Sequence, residues 1–426
     1  MTWIERRWEG DPGAMGGRKA RQSFVYRAFV PATIAAIEPV VGFKTARLIS
    51  EAEDAVGQLN SDERVRGLEA IGALLLRSEA IASSRIEGIE LSQRNLARAL
   101  IDPRAAKGTA RAVAANVVAM EQAIAIGDGE PELTVDDILA VHRTLMAHEG
   151  PRVMPGALRR EQNWIGGRLL NPSDARYVPP PEDQVEPLIR DLSEFMNRDD
   201  LPAGAQAAIA HAQFETIHPF IHGNGRVGRC LIHVVLRRRG VAPVFVPPVS
   251  IVLAARANLY VEGLVGFREG RIDAWCASFA EACGRAAALS VDLAARVAEL
   301  EADWFQRAGR PRRDSAAARI IPVLPAQPIT SAATMRAAIG ARHQRALEGL
   351  KVLADAGVLR QVSEGDYGRQ YAADELFDLI EAYEERVSAP GAARPCRSPV
   401  RGTTGATPGG YGSTTRPDGP IRGRRW

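Results

Sequence analysis

The chain has 426 residues, enough for roughly two to four domains of ordinary size. It is 46% hydrophobic and 25% charged, which excludes a wholly disordered or fibrous protein. Its net charge of +3 is unevenly spread: residues 388–426 hold seven Arg and one Asp, which leaves residues 1–387 at −3.

That C-terminal segment, rich in Gly and Pro and poor in large apolar side chains, cannot offset its ordering entropy, so 387–426 reads as a disordered basic tail. Cys230, Cys276, Cys283 and Cys396 form no C-x-x-C pair, so neither a disulfide framework nor a zinc ribbon is expected. No apolar run reaches the roughly 18 residues of a membrane span, and the N-terminus lacks the apolar centre of a signal peptide. The expectation is a cytoplasmic protein with no membrane partner.

In chain order, residues 1–25 read as a flexible lead. Apolar residues at three- and four-residue spacings predict helices from Ala32 to Leu100, then over Ala112–Ile126 and Val135–Ala147. Thr134 with Asp137 suggests a capping box at the start of the last of these. Gly and Pro crowd residues 150–182 around two short β-like pieces, Asn163–Ile165 and Ala175–Val178, which predicts a hairpin projecting from a helical body. Helices resume at Val185–Asn197, Gly204–Thr216, Gly225–Arg239, Ser250–Leu264 and Asp273–Ala308. Over 309–386 three shorter helices, Ser315–Val323, Ser331–Ile339 and His343–Ala356, precede two strand-like pieces around a turn at 364–368. That is the outline of a winged helix-turn-helix, whose third helix carries a weakly basic face (Arg342, His343, Arg345 and Lys351 against Glu348 and Asp355).

The densest polar cluster is His218-Pro-Phe-Ile-His222-Gly-Asn224-Gly-Arg226-Val-Gly-Arg229. It contains a G-x-G-x-x-G run, but the dinucleotide fingerprint needs a strand before it, and here a helix precedes. Its residue types instead make a phosphate cradle. Gly223 and Gly225 let the backbone expose successive N–H groups, and the helix opening at Gly225 aims its positive end at the same place. Asn224 adds an amide donor, while Arg226 and Arg229 supply charge for di- or triphosphate oxygens. His218 can accept a proton from an incoming hydroxyl. A zinc site on His218 and His222 is disfavoured, because Pro219 and the Gly223–Gly225 turn prevent the continuous helix that would converge them.

At these residues the chain resembles the Fic family, whose signature is His-Pro-Phe-x-(Asp/Glu)-Gly-Asn-Gly-Arg-x-x-Arg. Eight of its nine specified positions are met. Ser83-Ser-Arg-Ile-Glu87-Gly88 is similar to the family's inhibitory motif, (Ser/Thr)-x-x-x-Glu-(Gly/Asn), and Tyr26–Pro31, the 155–167 stretch and Tyr177–Pro181 extend the likeness. The resemblance implies a mainly α fold: an N-terminal helical region with the inhibitory motif over 26–110, a Fic core with a β-hairpin flap over 111–308, and the winged helix-turn-helix over 309–386.

It also implies transfer of AMP from ATP to a Ser, Thr or Tyr hydroxyl of a protein target, which could be the chain itself. His218 is then the general base. Asn224 with the Gly223–Gly225 backbone holds the α-phosphate, Arg226 meets the β-phosphate and Arg229 the γ-phosphate. The flap aligns the target, and Tyr260 sits at the adenine side. Glu87, with Ser83 and Gly88, pairs with Arg229 and inhibits. One position departs from the family: His222 stands where an acid binds Mg²⁺, and imidazole is a poor ligand for so hard a cation. Mn²⁺, a metal held by the phosphates alone, or nucleotide binding without efficient transfer all remain open. The last defines an alternative, a catalytically weak, nucleotide-binding DNA regulator. DNA through 309–386 and a second copy of the chain are left open as partners.

Overall fold

The computed structural model describes residues 1–10, 13, 21–61, 69–129, 132–150, 153–167, 171–363 and 368–388. The tail from residue 389 and the turn at 364–367 lie outside the described residues. Strands β1 (Thr2–Trp8) and β2 (Phe24–Val30) pair antiparallel along their whole length, Thr2 opposite Val30 and Trp8 opposite Phe24. This corrects the flexible lead expected over residues 1–25. Cross-strand aromatic contacts hold the pair, with Trp3 and Phe29 ring centroids 5.1 Å apart and Trp8 and Phe24 6.5 Å apart.

Helix formation also starts later than Ala32. Pro31 and Pro39 bracket the segment and lack the N–H a helix interior needs. Between them the N–H groups of Ile34 and Ala35 donate to Asp191 at 2.6 and 3.0 Å.

The main body then runs through α1 (Phe43–Ser61), α2 (Glu69–Ile86), α3 (Gln93–Ile101), α4 (Gly108–Asp128), α5 (Val135–Leu145), α6 (Glu182–Met196), α7 (Ala203–Ile217) and α8 (Asn224–Arg238). The capping box of α5 forms: Asp137 N–H donates to Thr134 Oγ1 at 3.3 Å and Thr134 N–H to Asp137 Oδ2 at 2.8 Å. The single helix expected over Ser250–Leu264 is two, α9 (Val249–Ala255) and α10 (Ala257–Arg268), bent by 100° where Arg256 leaves helical geometry. The long α11 (Ile272–Arg307) closes the body.

Alanine-rich α7 is buried on all sides apart from Gly204 and packs against α6, α8 and α11, so its polar side chains Gln206, His211, Gln213 and Glu215 are buried with it. It is the axis on which the candidate site is built. Among the described residues no single helix is long and apolar enough to cross a membrane.

The C-terminal unit comprises α12 (Ala316–Ile320), β3 (Ile329–Ser331), α13 (Ala332–Ala338), α14 (His343–Asp355), β4 (Arg360–Gln361), β5 (Gln370–Ala372) and α15 (Asp374–Ser388). β3 occupies the start of the helix expected from Ser331, and the sheet has the antiparallel order β3-β5-β4. Pairing with β5 draws residues 329–331 into extended geometry, and Ser331 then caps α13. The unit is not set apart by a core of its own: one apolar cluster runs from Ile34 to Val387, with α15 packed on α9 and α11.

Candidate active site

The site begins at the end of α2. Gly88 has φ +75°, its N–H bonds the Arg85 carbonyl at 2.9 Å, and the Ile89 N–H reaches the Ser84 carbonyl at 3.0 Å. This is a Schellman stop, which a side chain at Gly88 would strain, and it leaves Glu87 as the C-cap residue, aimed away from the helix. The Glu87 carboxylate accepts from Arg229 NH2 at 2.8 Å. The same guanidinium donates through Nε to Ser83 Oγ and through NH2 to the Ser83 carbonyl, both at 2.8 Å. Ser83, Glu87 and Arg229 thus form one network across the junction of α2 and α8.

The Arg229 side chain is 1% exposed and that of Glu87 37%. Burial alone would raise the Glu87 carboxyl, but the charge and hydrogen bond of Arg229, with Arg226 and His218 beyond, hold it below the usual carboxylate range.

Glu87 also covers the start of α8. A Cβ added to Gly225 would lie 1.8 Å from Glu87 Oε1, so the carboxylate rests directly on the backbone of the first helical turn. Gly223 precedes that turn in left-handed geometry, φ +78°. Arg226 is 6% exposed, and its Nε has no hydrogen-bond partner, so a buried cationic donor faces a site already built for an anion. The Asn224 amide is engaged elsewhere: it donates to the Phe220 carbonyl and accepts from the Phe220 N–H, both at 2.8 Å. In this state Asn224 shapes the loop, while Arg229 is held by Ser83 and Glu87.

His218 caps the end of α7 with φ +51°, a left-handed conformation that costs a non-glycine residue on the order of 1–2 kcal/mol. Remote groups impose it. The His218 carbonyl accepts from Arg159 Nε at 3.0 Å and from Asn163 Nδ2 at 3.2 Å, while its N–H bonds the Phe214 carbonyl at 2.9 Å. Burial drives the imidazole down to about 4, so at neutral pH the ring is uncharged and free to accept a proton.

Arg159, Asn163 and His142 were not singled out as site residues by sequence reasoning. His142 stacks on Phe220 at 3.7 Å between centroids. Its Nδ1 accepts from the Gly156 N–H at 2.9 Å, which leaves Nε2 as the donor to the His222 carbonyl at 3.2 Å. Burial holds its imidazole at about 4. These three residues tie the loop after α7 to the segment over 153–167; Arg159 and Asn163 lie in irregular chain and His142 on α5, and as single residues they carry no local pattern.

The expected flap hairpin is reduced among the described residues to one antiparallel bridge, Ile165 with Tyr177, whose N–H···O distances are 2.8 and 3.2 Å; residues 168–170 lie outside the described residues. The β1–β2 pair braces this bridge, with Trp8 against Trp164 at 5.6 Å and the Phe29 N–H on the Val178 carbonyl at 2.9 Å.

Two expected site residues are placed differently. Tyr260 is buried at 6% exposure, with its hydroxyl 2.8 Å from His211 Nε2 and its ring beside Trp275, so it packs in the core rather than opening toward an adenine. His222 is exposed, and only its backbone carbonyl is drawn into the site. Among the described residues no group of three His, Cys, Asp or Glu side chains could hold a metal ion. The donor set therefore does not fit a protein-held Mg²⁺, and no step is assigned to one.

The helix that ends at Glu87 is also tied to the C-terminal unit. Arg77 on α2 donates to the Pro325 and Ala326 carbonyls. Glu384 on α15 accepts from Arg85 at 3.1 Å and from Gln93 at 2.9 Å. Deeper in α2, Glu79 accepts from the Ser250 N–H at 2.7 Å and pairs with His233 at 3.3 Å.

A left-handed histidine at the end of one buried helix, glycines and arginines at the start of the next and an internal carboxylate bonded to Arg229 meet in one place within a mainly α fold. The Fic/DOC family model matches residues 132–236, and the model of the Fic/DOC family N-terminal region matches residues 46–125. Protein adenylyltransferase Fic of Drosophila willistoni is 35% identical over 119 residues, covering 27% of this chain and 22% of the relative. The counterpart from Drosophila erecta is 35% identical over 120 residues with the same coverage. The chain thus spans about a fifth of the length of the curated relatives it matches. A crystal structure of a Fic family protein from Desulfovibrio desulfuricans G20 aligns at 21% identity and a TM-score of 0.48, covering 79% of this chain and 98% of that one. The chain thus carries a Fic/DOC domain over residues 132–236, preceded by that family's N-terminal region over 46–125.

Proposed function

We propose that this chain transfers AMP from ATP to the hydroxyl of a Ser, Thr or Tyr side chain of a protein, and that Glu87 keeps it inhibited at rest. The observation that carries this reading is the Glu87 carboxylate lying on the first turn of α8 and hydrogen-bonded to buried Arg229. A carboxylate there occupies N–H groups and a guanidinium that suit phosphate equally well. With Glu87 withdrawn, Arg229 is released for the γ-phosphate, Arg226 for the β-phosphate and the 223–225 backbone for the α-phosphate. Neutral His218 takes the proton of the incoming hydroxyl as its oxygen attacks the α-phosphorus and pyrophosphate leaves. The curated relatives, named as protein adenylyltransferases, support the same chemistry for the region they share with this chain.

The test is intact-mass spectrometry of wild type, Glu87→Gly, and Glu87→Gly with His218→Ala, each incubated with every nucleoside triphosphate in turn. AMP addition to the Glu87→Gly protein or to a lysate protein, abolished by His218→Ala, is expected. Nucleotide binding with no mass added anywhere would sink the transferase reading. His222→Asp in the Glu87→Gly background is expected to raise Mg²⁺-dependent labelling, since it restores an oxygen ligand. No gain would mean that His222 does not limit the reaction.

A further inference from the structure

Glu215 lies in the last turn of α7, three residues before His218, and its side chain is 10% exposed. A buried carboxyl is unfavourable without partners, yet Oε1 makes no hydrogen bond. Oε2 stands 4.0 Å from Nδ1 of His218, and that nitrogen has no hydrogen-bond partner either. Space for the carboxyl comes from Gly228 on α8, where a Cβ would lie 2.7 Å from Glu215 Oε1 and 3.0 Å from Phe214 Cδ1. The carboxyl therefore sets Oε2 toward the unpartnered Nδ1 behind the proposed base, while its unpartnered Oε1 fills space that a larger residue at position 228 would take.

We infer that Glu215 is a positioning residue for His218: its carboxylate receives the Nδ1–H of the imidazolium that forms when His218 takes the target hydroxyl's proton. This rests on the reading of the site as an AMP transferase. In the step, the hydroxyl oxygen bonds to the α-phosphorus of ATP and the bond from that phosphorus to the pyrophosphate bridging oxygen breaks. The hydroxyl proton moves to Nε2 of His218 and afterwards passes to solvent. A buried imidazole held at about 4 is a weak base at neutral pH, and a carboxylate behind it strengthens it as the positive charge develops. The arrangement follows the logic of an acid that orients a catalytic histidine and stabilises its charged form.

Groups from every side bear on this carboxyl: Arg229 on α8, Glu87 after α2, Arg268 and Tyr260 on α10, and His211 and His218 from α7 and its end. Burial lifts Glu215 to about 7; Arg229 opposes the rise, Glu87 adds to it and Arg268 opposes it. The carboxylate form needed for the role therefore appears as pH rises through neutrality.

The experiment uses the full chain carrying Glu87→Gly, compared with the same protein bearing Glu215→Gln or Glu215→Asp. AMP labelling rate at saturating ATP is followed across pH, together with the KM for ATP. In the parent the rate is expected to rise through about pH 7. Glu215→Gln should lower the rate at alkaline pH by at least about tenfold and erase that inflection, with KM changed less than about twofold, and Glu215→Asp should recover part of the rate. A Glu215→Gln protein that keeps the parental rate or the inflection overturns the inference, as does one that loses ATP affinity together with rate. Histidine-selective NMR of the parent gives a measure independent of those variants: a His218 Nδ1 signal that moves near pH 7 supports the contact, and an insensitive one overturns it. A parent that binds ATP but never labels removes the AMP-transfer reading and this inference with it, whereas a labelling parent with an unaffected Glu215→Gln removes the inference alone.

Discussion

Glu87→Gly removes the carboxylate that balances a guanidinium with 1% side-chain exposure. Breaking a fully buried ion pair costs about 3–5 kcal/mol. Here Glu87 is 37% exposed, so solvent screens the pair and about 1–2 kcal/mol is expected instead. The two Arg229 bonds to Ser83 survive the substitution and limit the loss. The apo protein should therefore melt roughly 1–2 °C lower.

Adding ATP reverses the order. Ligand at a hundredfold excess over Kd stabilises by about 2.7 kcal/mol. In wild type the γ-phosphate must first displace Glu87, so the strength of that contact is subtracted from binding, and apparent ATP affinity should be about 5- to 30-fold weaker than in Glu87→Gly. Glu87→Gln, which keeps the shape and an acceptor but loses the charge, should fall between them. Thermal denaturation over an ATP titration, with calorimetry of binding, measures both effects. Equal ATP affinity in wild type and Glu87→Gly, alongside a lower apo Tm, would show that Glu87 braces the fold without occupying the phosphate site.

Three further outcomes follow from the same geometry. Gly225→Ala puts a methyl 1.8 Å from Glu87 Oε1 and 2.9 Å from Arg229 NH1, so it should expel Glu87 while filling the cradle. Tm should fall as for Glu87→Gly but without gain in AMP labelling, and a labelling gain would mean that the first turn of α8 does not receive phosphate. Glu384→Ala loosens the end of α2 through Arg85 and Gln93. Because Arg85 is 43% exposed the effect is at most about 1 kcal/mol, so basal labelling should rise about two- to fivefold, and no rise would separate α15 from control of the site.

Stability should also fall below neutral pH. His142, His211 and His218 are held by burial at about 4, 3 and 4, so below about pH 6.5 the unfolded chain binds three protons that the folded one refuses. Burial raises Glu215 and Glu301 to about 7, so between about pH 4.5 and 6.5 these two hold protons only when folded and act in the opposite sense. The net difference of one proton predicts about 1.4 kcal/mol lost per pH unit across that window, and Glu301→Gln should double the slope. Urea titrations at several pH values measure it; stability that stays flat or rises on acidification would contradict the burial of the three histidines.

What the sequence by itself determined is whatever depends on near neighbours along the chain. The anion cradle could be read at 223–229 because glycines, a helix start and arginines three apart act through local backbone. Glu87 stood out by the motif around it, while the helix stop at Gly88 emerged only with the fold. The periodicity of α7 and α8, and the Thr134 capping box, are equally local. Where contacts are remote, local patterns failed. Residues 2–8 of the expected lead form a strand because β2 offers Trp3 and Trp8 aromatic partners across the pair, and Ser331 left its expected helix because β5 paired with it. Tyr260 on a helix face could equally have met a nucleotide or the core, and packing beside Trp275 decided it.

The resemblance implied that Glu87 meets Arg229, 142 positions along the chain, and the packing of α2 on α8 brings them together; tertiary structure alone determined that Arg159 reaches the His218 carbonyl across 59 positions and that the Glu215 carboxyl faces His218 Nδ1 beside Gly228. The physical reason is that such side chains satisfy or fail to satisfy buried polar groups only after the helices that carry them have packed.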